Sequence, residues 1–131
     1  MTLRLLLAGK DIASFQPIRK AFANEDVHII KATSIGLGLF LSRKNLPHLI
    51  ICEEQLIDGD GISFFYEIRN EPDFSEIPFA FLLTDKKAQT NILDQLGAGN
   101  NHTNIHFFFI TNDSEQQDTM SWKNEILQIV N

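Results

Sequence analysis

The chain has 131 residues, which is room for one domain with a sizeable buried core and little for a second. It is 44% hydrophobic with a formal net charge of −6, a balance that excludes a disordered chain and argues against a nucleic-acid backbone as ligand, since that needs a basic face. The apolar runs are too short to span a bilayer, and the apolar start from Met1 to Leu7 is too short for a secretory signal. A single cysteine, Cys52, rules out an internal disulfide. The expectation is a cytoplasmic protein without a membrane or nucleic-acid partner.

Short apolar runs alternate with helix-like stretches along the chain. Leu3 to Ala8 is a continuous apolar run, the pattern of a strand buried on both faces. Asp11 is placed to cap a helix over about Ile12 to Asn24, whose Ile12, Phe15, Ile18, Ala21 and Phe22 repeat at helical spacing. Val27 to Ala32 is the second run. Ser34 then caps a helix that ends at Arg43-Lys44-Asn45 with cations in its last turn, and Gly36 and Gly38 predict that it is short or closely packed.

Pro47 opens the third run, Leu49 to Cys52, which ends in an acidic loop from Glu53 to Gly61. A helix over about Ile62 to Asn70 follows and carries Phe64, Phe65 and Ile68. Pro78 to Leu83 is the fourth run, ending at Thr84-Asp85. The next helix, about Lys87 to Leu96, is closed by Gly97. Beyond the polar stretch Gly99 to Asn104 lies the fifth run, Ile105 to Ile110. Asn112-Asp113-Ser114 precede a last helix carrying Trp122, Ile126, Leu127, Ile129 and Val130.

This alternation predicts an α/β fold occupying 1–131 as a single domain. The expected architecture is a doubly wound five-stranded parallel sheet, flavodoxin-like with strand order 2-1-3-4-5 and helices on both faces. Sites in such sheets form beyond the carboxyl ends of the strands. That points to Gly9-Lys10-Asp11, Thr33-Ser34, the Glu53 to Gly61 loop, Thr84-Asp85 and Thr111-Asn112.

Pro47-His48-Leu49-Ile50-Ile51-Cys52-Glu53, with Asp58-Gly59 and Asp60-Gly61 after it, resembles the third strand and loop of two-component receiver domains. Ile77 to Thr84 resembles their fourth strand with its terminal hydroxyl, and Leu96-Gly97-Ala98-Gly99 the end of their fourth helix; Ala32 matches an alanine after strand two. The resemblance runs from Leu3 to about Gly97 and continues more weakly. It implies a CheY-like response-regulator domain in which an aspartate accepts a phosphoryl group with the help of a divalent cation, held by an acidic pair, and a lysine.

The chain departs from that pattern at the site itself. Gly9 and Lys10 stand at the acidic pair, with Asp11 one step on, and Glu53 stands at the acceptor. Asn104 aligns without gaps with the lysine, and Thr84 alone is retained. A cation prefers carboxylate oxygens, and an ammonium at Lys10 repels it. In-line transfer demands tight placement, so the extra methylene of Glu53 is not neutral. The aromatic that would follow Thr84 in a switch aligns with Asn101, beside His102, so that lever reads as missing.

The pocket Gly9, Lys10, Asp11, Glu53, Thr84 and Asn104 therefore reads as degenerate. No catalytic residue, metal or cofactor is expected. Glu53 is either a solvated loop carboxylate or a permanent anion neutralised by the Lys10 ammonium. Thr84 and Asp85 compete to cap the following helix, Asp58 and Asp60 read as turn residues, and Cys52 as an inert core thiol. The function expected is a pseudo-receiver of two-component-type signalling, not an enzyme, that binds a signalling protein, an attached effector domain or a second copy of itself. Its partner face is expected over about Lys87 to Val130, with Lys87, His102, Trp122 and Lys123 as contacts. The rivals are a working receiver phosphorylated on an acidic residue of the Glu53 to Asp60 loop, and a flavodoxin-like binder of a small anion or nucleotide.

Overall fold

The structure, a computed structural model, describes residues 2–11, 15–97, 104–109 and 119–130. Strands β1 (Leu3–Ala8), β2 (Val27–Ala32), β3 (Leu49–Glu53), β6 (Phe79–Leu83) and β7 (Ile105–Phe109) form one parallel sheet in the order β2-β1-β3-β6-β7. Counting only these five in chain order gives 2-1-3-4-5, the expected topology. Two-residue strands β4 (Gln55–Leu56) and β5 (Gly59–Asp60) pair antiparallel as a small ribbon within the loop after β3.

Alternate strand residues feed two cores, as the period of a strand requires. Leu6, Ala8, Ile50, Cys52, Phe79, Phe81 and Leu83 face helices α2 (Ile35–Asn45), α3 (Gly61–Arg69) and α4 (Lys86–Leu96). Leu5, Leu7, Leu49, Ile51, Ala80, Leu82 and Phe108 face α1 (Gln16–Ala21) and α5 (Thr119–Val130). The first core is strongly aromatic, with Phe65 set edge-on to Phe79 at 5.3 Å between centroids.

Most helix ends follow their sequence signals. Ser34 Oγ accepts the Leu37 N–H at 3.0 Å, and Gly97 closes α4 at φ 78°, where a side chain would be strained. Asp60 accepts the Ser63 N–H at 2.8 Å and so caps α3, while Asp85, not Thr84, caps α4 through the Ala88 N–H at 2.8 Å. The first helix departs from expectation. It begins at Gln16 with Phe15 in the cap position and Pro17 in the first turn, and residues 12–14, where a helix capped by Asp11 is expected to start, lie outside the described residues.

Asp58 also does more than turn the chain. Its carboxylate accepts the Ile35 N–H at 2.7 Å and the Gly36 N–H at 3.3 Å, capping α2 from the neighbouring loop. Those bonds hold its carboxyl below the ordinary range. A carboxyl with a depressed folded-state pKa gives stability that is present above the unfolded value and lost as pH falls through the folded one. Asp58→Asn should therefore flatten part of the acid limb of a Tm-against-pH curve and speed hydrogen exchange at Ile35 and Gly36.

His48 gives a linkage of the same sign in a higher pH window. Its Nδ1 accepts the Arg4 N–H at 2.9 Å, joining β1 to the start of β3, and burial together with the Arg4 charge lowers its pKa. The fold holds the imidazole neutral. Its contribution is fully present above the unfolded value of about 6.5 and is lost as pH falls below it. The Tm of the wild-type chain should fall on acidification through that window, and less so in His48→Gln.

Gly38 shows packing overriding propensity. A Cβ there would lie 2.7 Å from Cζ of Phe64, a ring fully buried in the core. Alanine at a helical glycine gains about 1 kcal/mol of propensity. Overpacking a buried ring costs about 1–3 kcal/mol. Gly38→Ala should thus lower stability, by about 1 kcal/mol or more, in denaturant titration.

Candidate functional site

The corner beyond the carboxyl ends of β1 and β3 is drawn together by backbone bonds from the loop after β3. The Lys10 N–H donates to the Gln55 carbonyl at 3.0 Å, the Ile57 N–H to the Thr33 carbonyl at 3.0 Å, and the Gly61 N–H to the Glu54 carbonyl at 2.9 Å. A Cβ on Gly61 would sit 2.6 Å from the Glu53 carbonyl oxygen, so the loop needs glycine there to pass this close. Three strand-end loops are thereby fixed to one another, and the side chain of Glu53 projects into their junction.

Glu53 is half-buried, and its carboxylate lies over Gly9. Oε1 accepts the Asp11 N–H at 2.9 Å, and a Cβ built on Gly9 would fall 2.6 Å from both Cγ and Cδ of Glu53. Lys10 is exposed. The ion pairs among the described residues are Arg43–Glu71 and Lys123–Glu25, so the pairing of Lys10 with Glu53 read from the sequence is not formed. The backbone explains the difference. The strand ends at Gly9, the Lys10 N–H turns to the loop after β3, and the Asp11 N–H reaches the carboxylate in place of the ammonium.

Of the other residues assigned to this pocket, Thr84 lies exposed at the carboxyl end of β6, and Asn104 lies elsewhere. The register pairs Phe79 with Ile105 and Leu83 with Phe109, so Asn104 precedes β7 at the amino ends of the strands, the opposite end of the sheet. There it takes φ 61°, and its carbonyl accepts the Phe79 N–H at 2.9 Å and Arg69 Nη2 at 3.3 Å. The ungapped alignment sets Asn104 at the end of the fifth strand, whereas the register sets it one residue before that strand begins. The residues that leave the carboxyl end of β7, Thr111 and Asn112 among them, lie outside the described residues. Asn101 and His102 lie outside the described residues, and within β7 Phe107 and Phe109 share the face toward α4, Phe107 stacked on Phe81 at 5.9 Å.

The residues assigned to the partner face also need correction. Trp122 is 6% exposed and packs on Phe108 at 5.9 Å, so it belongs to the core. Lys123 is 21% exposed and pairs with Glu25 after α1, on the other side of α5. Lys87 turns toward the loop after β3. There it lines a polar cleft of 320 Å³ with Glu54, Asp60, Thr84, Asn91 and Gln95. The groove between α4 and α5 is lined instead by Lys86, Gln89, His106, Phe109, Glu125 and Ile129. Burial lowers the pKa of His106 against the opposing pull of Glu125, and its Nε2 is buried without a protein partner among the described residues. The signal that could have found this groove was the fifth apolar run itself, whose bounds place Phe107 and Phe109 at an edge.

Cys52 is fully buried, and burial, then the charges of Glu53 and Asp60, push its thiol well up, so it is not a nucleophile. The divalent cation implied by the receiver resemblance needs several converging oxygen ligands. Residue 9 has no side chain, residue 10 carries an ammonium, and the Glu53 carboxylate is turned onto the Asp11 N–H. Among the described residues no three His, Cys, Asp or Glu side chains come together to hold a metal ion. The residues present do not fit the cation.

No protein-family model matches the chain, and no curated protein matches its sequence. Solved structures match its fold. The chain is similar to the chemotaxis response regulator CheY4 of Vibrio cholerae, with TM-score 0.74 and 12% identity over 98% of this chain and 99% of that one. It is similar to a response regulator from Desulfuromonas acetoxidans, with TM-score 0.72 and 19% identity over 98% and 96%. It is also similar to the Mn(2+)-bound form of the response regulator Rcp1, with TM-score 0.73 and 17% identity over 97% and 94%. At these identities the likeness establishes the fold, which is that of CheY-like receiver domains.

The geometry changes what removal of the Glu53 charge should do. With no ammonium against it, Glu53→Gln keeps an oxygen for the Asp11 N–H and trades a charged acceptor for a neutral one. The expected loss is about 1 kcal/mol or less. A double-mutant cycle of Glu53→Gln with Lys10→Met, followed by chemical denaturation, should give a coupling energy below about 0.5 kcal/mol.

Proposed function

We propose that the chain is a receiver-type signalling module that binds a partner without being phosphorylated. One observation carries the reading: the Glu53 carboxylate is folded over Gly9 and held by the Asp11 N–H, in the corner where phosphoryl transfer would need an aspartate and a bound cation. On this reading the module performs no group transfer and needs no cofactor. It acts through contact with a signalling protein, with a domain attached to it, or with a second copy.

The surface best suited to that contact is the groove between α4 and α5, floored by β7, the last strand of the sheet. An edge strand with partly exposed aromatics favours a covering partner. Lys86 stands on one wall and Glu125 on the other. Two copies related by a two-fold axis could therefore set opposite charges against each other, as an isologous interface does. On this reading Phe107, stacked on Phe81, serves as the aromatic of a switch. What the corner lacks is a removable ligand that binds two states differently, and without one a two-state element does not shift. The face is accordingly presented in one state.

Two measurements test this. Incubation with acetyl phosphate and Mg²⁺ should leave the intact mass unchanged. A mass gain lost in Glu53→Gln would instead establish a working phosphoacceptor. Lys86→Glu or Glu125→Lys should weaken the partner or dimer contact on the order of tenfold, and Glu53→Gln by less than about twofold at unchanged Tm. A large effect of Glu53→Gln on that contact would show the corner still coupled to the face.

A further inference from the structure

Glycine at position 9 has no backbone explanation. Among the described glycines only Gly97 takes a positive φ, so the main chain at Gly9 would accept any L-residue. The three atoms nearest to a Cβ at this position are all from Glu53: Cγ and Cδ at 2.6 Å, and Oε1 closer still. Gly9 itself is buried, and its N–H is spent on the Ala32 carbonyl at 2.9 Å, so the main chain cannot withdraw to make room. The space of a side chain at 9 is filled by the side chain of 53.

We infer that Gly9 and Glu53 act as one unit that closes the corner to a divalent cation: the missing side chain is the seat of the longer carboxylate, and the Asp11 N–H holds it there. Each residue alone only weakens such a site. Together they occupy it, because the carboxylate that could face a cation is turned across β1 and spends an oxygen on a backbone donor. A side chain of any size at 9 evicts Glu53 from that seat. The exposed Lys10 adds a like charge at the rim.

This deepens the reading of a module that is never phosphorylated and rests on it only in assigning the corner. Its readouts involve no partner, so the failure of either idea is distinguishable from the failure of the other. The experiment is a stability and amide-resonance cycle on the whole chain. Gly9→Ala should lower the Tm by several degrees, shift the Asp11 amide resonance and speed its hydrogen exchange. The same change in a Glu53→Ala background should cost nothing. If Gly9→Ala alone does not fold, recovery of folding in the double variant carries the same conclusion. Equal cost in both backgrounds, or an unmoved Asp11 amide, would overturn it. The cation arm uses Mn²⁺ as probe. Millimolar Mn²⁺ should leave the Asp11 and Glu53 amides of the wild type unbroadened, whereas the combined Gly9→Asp, Lys10→Asp and Glu53→Asp chain should bind it saturably. Saturable broadening in the wild type, or none in the triple variant, would refute the closure.

Discussion

A parallel sheet covered by helices on both faces leaves the chain little choice about where its polar side chains go. Each strand is apolar on alternate residues toward both cores, and Leu5 to Ala8, Leu49 to Cys52 and Phe79 to Leu83 are buried without interruption. Charge is pushed to the strand ends, where backbone donors are free of the ladder. Glu53 is the last residue of the central strand and the first that can carry charge, so the organisation of the corner follows from where its carboxylate settles.

The carboxylate settles on a backbone N–H and against a glycine, in preference to the nearby ammonium. A half-buried anion loses hydration that a flexible, solvated lysine repays poorly. A fixed amide repays it at little entropic cost. The loop after β3 follows the same economy. Its carbonyls take the Lys10 and Gly61 N–H groups, its Ile57 N–H reaches the Thr33 carbonyl, and Asp58 closes the orphan donors of α2. The corner is thus held by backbone bonds among its own loops.

The opposite edge is organised by packing. Phe107, Phe108 and Phe109 alternate across β7, so Phe108 enters the core against Trp122 while Phe107 stacks on Phe81 and Phe109 lies under the Lys86 ammonium at 6.0 Å. A tryptophan on an amphipathic helix serves the sheet first, and the groove beside it keeps a mixed rim of Lys86 and Glu125 around aromatic edges.

The sequence by itself determined the architecture. Continuous apolar runs, helical periodicity, Ser34 as a cap and Gly97 as a stop are local signals, and the structure obeys them because propensity, capping and burial agree. It also showed that Gly9, Lys10 and Glu53 depart from the receiver pattern. Only the tertiary structure decided what those residues do, since a side chain's partner depends on distances between strand ends that no local pattern encodes. It moved Asn104 to the amino ends of the strands because strand register, not alignment position, sets which end of the sheet a residue occupies. It put Trp122 in the core and Lys123 against Glu25 because helix rotation about its own axis is fixed by the core. And it made Gly9 the seat of Glu53, a steric complement between residues 44 positions apart that becomes visible only when β1 and β3 lie side by side.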